Sequence, residues 1–129
     1  MQMVKKTVYT NTEKDVLLNP DNAFSIGVQV TNTGVSANSE GRKIIPAGTP
    51  VGSTVNVLET RNTVLVVTNS AADGKNAQGV LRHDVDVTNG ATDATLIVRG
   101  EIDSSKCPTI DATAKTALTH IIFVNGGSY

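Results

Sequence analysis

Aromatic side chains are almost missing from this chain: two Phe, two Tyr and no Trp among 129 residues. Nucleic-acid stacking platforms and sugar-binding clefts both need several rings, so neither class of ligand suits this composition. Cysteine is nearly absent as well. The single Cys107 cannot form an internal disulfide, which fits a reducing compartment, and it sits before Pro108 with no partner motif for a nucleophile. Charge of one sign is lacking too. Eleven basic against twelve acidic residues leave a formal charge of -1, with no basic field for nucleic acid and no polycationic run for a membrane surface. No apolar run approaches the ~18 residues of a membrane span. The opening "MQMVKKTVYTNTEKD" has two lysines but Thr, Tyr and Asn interrupt at once, so no signal peptide is read. A protein made and used inside a cell is expected.

What is present is a modest stock of Val, Ile, Leu and Ala; apolar residues make up 39% of the chain. That is enough for one small domain, and surface buried between subunits would supplement its core. Residues 1–22 read as a flexible N-terminal arm: polar, broken by Asn19-Pro20, with one apolar knot at Val16-Leu17-Leu18. From residue 23 to 129 the pattern is β-rich. "FSIGVQVT" sets Phe24, Ile26, Val28 and Val30 on one face of a half-buried strand. "TVLVVTN" is apolar on both faces, a candidate central strand. "VLRHDVDVT" and "ATLIVRGEI" flank Asn89-Gly90 and suggest a hairpin with a long tip. "TIDATAKTALTH" is a short helix capped by Asp111 or Thr109 and followed by strand-like "IIFVN". The expected fold class is mainly β: a small single-domain barrel or sandwich of six to eight short strands with one short helix near the C-terminus.

One stretch invites a catalytic reading, because His83 stands beside Asp84 and Asp86. In an unbroken strand His83 shares a face with Val85 and Val87, whereas Arg82, Asp84, Asp86 and Thr88 share the other. Metal ligands and acid–base partners must converge on one point, and alternation splits this set. The aspartates read instead as a charged face beside Arg82, opposite Arg99 on the next strand. His120, at the helix-to-strand passage, has no evident third ligand. The glycines of "GRKIIPAGTPVG" match neither a Walker loop nor a dinucleotide fingerprint, and no Gly-x-Ser-x-Gly elbow occurs. No enzyme, metal or cofactor is expected; a small metal-assisted hydrolase using His83 and the aspartates is the catalytic rival. A binding or structural module whose edges and arm pair with a partner suits the residues better.

Three segments carry a resemblance: "IPAGTPVG" at Ile45–Gly52, "AQGVLRHDVDVT" at Ala77–Thr88 and "ATLIVRGEID" at Ala94–Asp103. In this order, with a short helix after them, the chain resembles the head decoration proteins that stabilise capsids of tailed bacteriophages and prophages, over roughly residues 43–124. The physical demands of the segments are legible beside that likeness. Gly48 and Gly79 belong where backbone turns sharply or packs closely. Pro46 and Pro50 keep the flank extended and blunt an edge strand, Gly100 joins them as a motif turn residue, and Val80, Val85, Val87, Leu96 and Val98 fill the core.

The resemblance implies a homotrimer on the outer surface of an expanded head, at three-fold positions, cementing adjacent subunits of the major capsid protein. It implies no cofactor, no nucleic acid and no membrane among its partners, and synthesis in the bacterial cytoplasm. It also implies that the N-terminal arm orders on the capsid, with Val8, Val16, Leu17 and Leu18 as docking residues. Three arms per trimer would act together through effective concentration. The alternative is the base domain of a head fibre or another virion-surface adhesin, which would need further chain for a shaft or receptor-binding part.

Overall fold

The computed structural model describes residues 16–18, 21 and 23–125. Eight strands and one short helix follow in the order β1 (Phe24–Val30), β2 (Ile44–Ile45), β3 (Pro50–Gly52), β4 (Val64–Val67), β5 (Ala77–Leu81), β6 (Val85–Asp86), β7 (Thr92–Asp103), α1 (Ala112–Ala117) and β8 (Ile121–Val124). The fold is mainly β, as the patterning anticipates. Five strands close into a barrel in the order β1-β4-β3-β5-β7, with β7 returning to pair β1. Only β1–β4 is parallel within this ring. Closure removes the open edges that a five-stranded sheet would otherwise expose.

Two apolar clusters use opposite faces of the barrel wall. Val28, Val30, Val51, Leu65, Leu81, Val87 and Leu96 belong to one. Val16, Leu17, Val80, Ile97, Ile102, Ala114 and Leu118 form the other, where α1 packs on β5 and β8 extends the sheet beside β7. Buried neighbours such as Val80-Leu81 and Leu96-Ile97 therefore face different clusters, and "VL" and "LI" need no alternation. The helix is brief, six residues, and its first turn is capped by Asp111, whose carboxylate accepts from Thr113 N at 2.9 Å. Gly74 lets it approach: a Cβ there would stand 2.6 Å from Ala114 N.

Several expectations change on contact with the fold. Phe24 leaves the buried face of β1, 46% exposed, because the register with β7 shifts between Phe24 and Ser25. Pro50 does not blunt an edge. It opens β3, which lies between β4 and β5, and a strand's first residue tolerates a missing N–H. Of the motif residues named for turns, Pro46 and Gly48 do lie at one: Thr49 N donates to Pro46 O at 3.3 Å, and Gly48 takes φ +88° as a type II turn requires at its third position. Gly79 and Gly100 lie inside strands β5 and β7. They are small because neighbours press close: a Cβ on Gly79 would stand 2.6 Å from Ile97 O, and one on Gly100 3.3 Å from Leu17 Cδ1.

The expected hairpin is also rearranged. β5 does pair β7, with Val80 opposite Ile97 and Leu81 opposite Leu96. The chain then bends at residues 82–84, and β6 pairs β2 rather than β7. Val85 and Val87 reach the core by this detour. His83 does not share their face; it is exposed on the bend, where strand alternation no longer applies.

Candidate docking surface

The residues first suspected of chemistry are held apart. Asp84 accepts a hydrogen bond from Ala47 N at 2.7 Å, tying the bend to the segment before β3. Asp86 is bound by Thr88, whose hydroxyl and backbone N–H both donate to it, the latter at 3.0 Å, and it forms an ion pair with Arg42. Those Thr88 bonds, then the Arg42 guanidinium, hold its carboxyl at about 2 against an ordinary 3.8. This is a structural clamp between two strands, with every oxygen committed to neighbours. His120 is exposed in the turn before β8, and its carbonyl accepts from Gly100 N. Among the described residues no three His, Cys, Asp or Glu side chains are grouped so as to hold a metal ion. Burial, then the Asp103 carboxylate, pushes the Cys107 thiol up to about 11, so it stays protonated at neutral pH.

A surface emerges instead at the end of β7. Its last residues, Gly100–Asp103, pair with β8 in parallel on one side. On the other side Leu17 bridges Ile102 in antiparallel sense, Leu18 N donates to Glu101 O at 2.9 Å and Asp103 N donates to Val16 O at 2.8 Å. The N-terminal knot is thus an extra strand on this chain's own sheet. Val16 and Leu17 are buried in its core, whereas Leu18 points out at 45% exposure. Val8 lies outside the described residues. Register aligns Leu18, Glu101 and Ile122 in one row across three strands, and Ile122 is 59% exposed. Val124, also exposed, continues the row along β8, which among the described residues has a strand on one side only.

Direction matters as much as composition here. Val16 stands opposite Asp103, and so does Val124 on the other side. Val16 and Val124 therefore lie at the same end of β7, flanking one apolar row with a single acid in it. The apolar knot was legible in the sequence, but not which of its residues faces outward; nor was the outward residue of "IIFV", since all four are apolar and Ile121 is the one that joins the buried cluster.

The three segments that carry the resemblance also meet. Residues 43–52 run along residues 77–88: Val51 opposes Gly79, Pro50 opposes Val80, Gly48 N donates to Leu81 O at 2.7 Å, Ile45 opposes Val85, and Val87 N donates to Lys43 O at 2.8 Å. The third segment, in β7, joins the second through β5. Compared with protein-family models and with curated proteins, the chain finds no match.

Proposed function

We propose that this chain is a capsid decoration protein of a tailed phage: it binds the outer surface of the expanded head at three-fold positions, as a homotrimer, and cements adjacent major capsid protein subunits. It acts by binding and not by catalysis. The observation that carries the reading is the ladder just described. The three segments that resemble decoration proteins, the first well separated in sequence from the other two, form one contiguous set of paired strands, and Gly48, Gly52 and Gly79 stand where a side chain would collide. That contiguity supports reading the three segments together, as parts of one framework.

The surface at the end of β7 supplies the docking element. Apolar side chains at Leu18, Ile122 and Val124 offer area to bury. Because Val16 and Leu17 are anchored in the core, the docking set within the described residues contracts to Leu18 and its neighbours on β8. The decisive experiment mixes the purified protein with expanded and unexpanded phage heads and measures co-sedimentation, with its mass in solution by light scattering. Binding to expanded heads well above unexpanded ones supports the reading. A strict monomer that binds neither overturns it.

A further inference from the structure

We propose that Asn89 is a site of spontaneous deamidation, a built-in slow conversion to isoaspartate and aspartate at the β6–β7 turn. Asn89 is exposed at the tip, and Gly90 N donates to Val87 O at 3.0 Å, closing the turn Val87–Gly90. Gly90 takes φ +116°, and a Cβ added to it would meet nothing within 4 Å. Asn89 is exposed beside this glycine, and Gly90 brings no side chain to crowd the approach of its backbone nitrogen to the Asn89 carboxamide.

The chemistry balances with water alone. The Gly90 amide loses its proton to base and its nitrogen attacks Asn89 Cγ. A new N–Cγ bond forms, the Cγ–Nδ2 bond breaks, and ammonia departs with the returned proton. Water then opens the cyclic imide at either carbonyl, leaving isoaspartate or aspartate. One water is consumed, one ammonia is released, and no oxidant or reductant takes part.

The turn slows this step without preventing it. Cyclisation needs the Gly90 N–H free of Val87, and opening one exposed hydrogen bond lowers the reactive population by about 2- to 12-fold relative to an unstructured chain. The Asp73-Gly74 dipeptide follows the same chemistry through loss of water, and there the fold closes the route. Gly74 is buried, its N–H donates to Ser70 O at 2.7 Å, and α1 stands against it. The structure thus separates two sites that sequence alone ranks together.

Conversion adds a carboxylate between Asp86 and Asp93 in sequence. As isoaspartate it also lengthens the backbone, which unmakes the Gly90–Val87 bond and the 3.2 Å bond from the Thr92 hydroxyl to Gly90 O. The Asp86 clamp and the β2–β6 pairing lie outside the altered bonds, so the barrel stays folded.

The test incubates the intact protein, folded and in urea, at mildly alkaline pH, and follows peptides by mass spectrometry with isoaspartyl-methyltransferase labelling. Asn125-Gly126, the other Asn-Gly pair, serves as internal reference. The expected result is conversion at Asn89 in the folded protein within about 12-fold of its rate in urea. Asn89→Gln should abolish the change in that peptide and leave the melting temperature unaltered. Asn89 that stays intact in the folded protein while Asn125 converts overturns the proposal, as does a failure to convert even in urea.

Discussion

At the scale of single residues, glycines do more for this protein than its ionisable groups. Gly79 lies under Ile97 O and the Leu96 side chain, both closer than 3 Å to where a Cβ would be. Gly79→Ala should destabilise the fold by about 1–3 kcal/mol through overpacking, seen as a lower denaturant midpoint with unchanged slope. The need for a small residue there was readable from the sequence as either a sharp turn or close packing; the structure shows Gly79 within β5 with close neighbours. Asp86 carries the principal electrostatic signature. Its carboxyl is depressed from 3.8 to about 2, so its contribution is fully present above 3.8 and lost as pH falls through about 2. Asp86→Asn should therefore lower stability at neutral pH and flatten the acid-unfolding profile between those values, as followed by circular dichroism. A similar loss at every pH would show that the clamp works through shape alone.

At the scale of elements, the N-terminal knot shows how a short strand is recruited by tertiary contacts. Val16-Leu17-Leu18 has no periodicity of its own, and three residues cannot hold a strand in isolation. Two backbone hydrogen bonds to β7 and the burial of Val16 and Leu17 hold it here. Leu17→Ala should cost about 2–5 kcal/mol, the range for emptying a buried leucine site. Hydrogen exchange should show Asp103 N–H losing protection first, since it donates to Val16. Equal loss of protection throughout the barrel would contradict a locally attached strand. The helix, by contrast, was legible in place and type, because Asp111 as cap and the Ala-rich turn after it are local signals, although it spans only six residues of "TIDATAKTALTH".

At the scale of the whole molecule, stability and docking use different residues. The clusters that hold the barrel contain neither Leu18 nor Ile122. Leu18→Asp combined with Ile122→Asp should leave the melting temperature within a few degrees of the parent and weaken attachment to expanded heads at least tenfold, the effect of losing ~1.4 kcal/mol or more. Retained attachment in a well-folded double variant would move the docking surface elsewhere on the barrel.

Composition and pattern alone determined the class of fold, since few aromatics and many short β-branched runs between Gly, Pro and Asn turns leave little but a small β domain. They determined the helix and most of the core for the same reason: these signals are local. Only the tertiary structure decided which strands meet. The bend at residues 82–84 sends β6 to β2, and there Val85 and Val87 are buried in the core. Only the tertiary structure, too, placed Val16 and Leu17 inside and Ile122 outside. An apolar residue's side of a sheet depends on what covers each face, and for β5 the covering element, α1, lies some way along the chain.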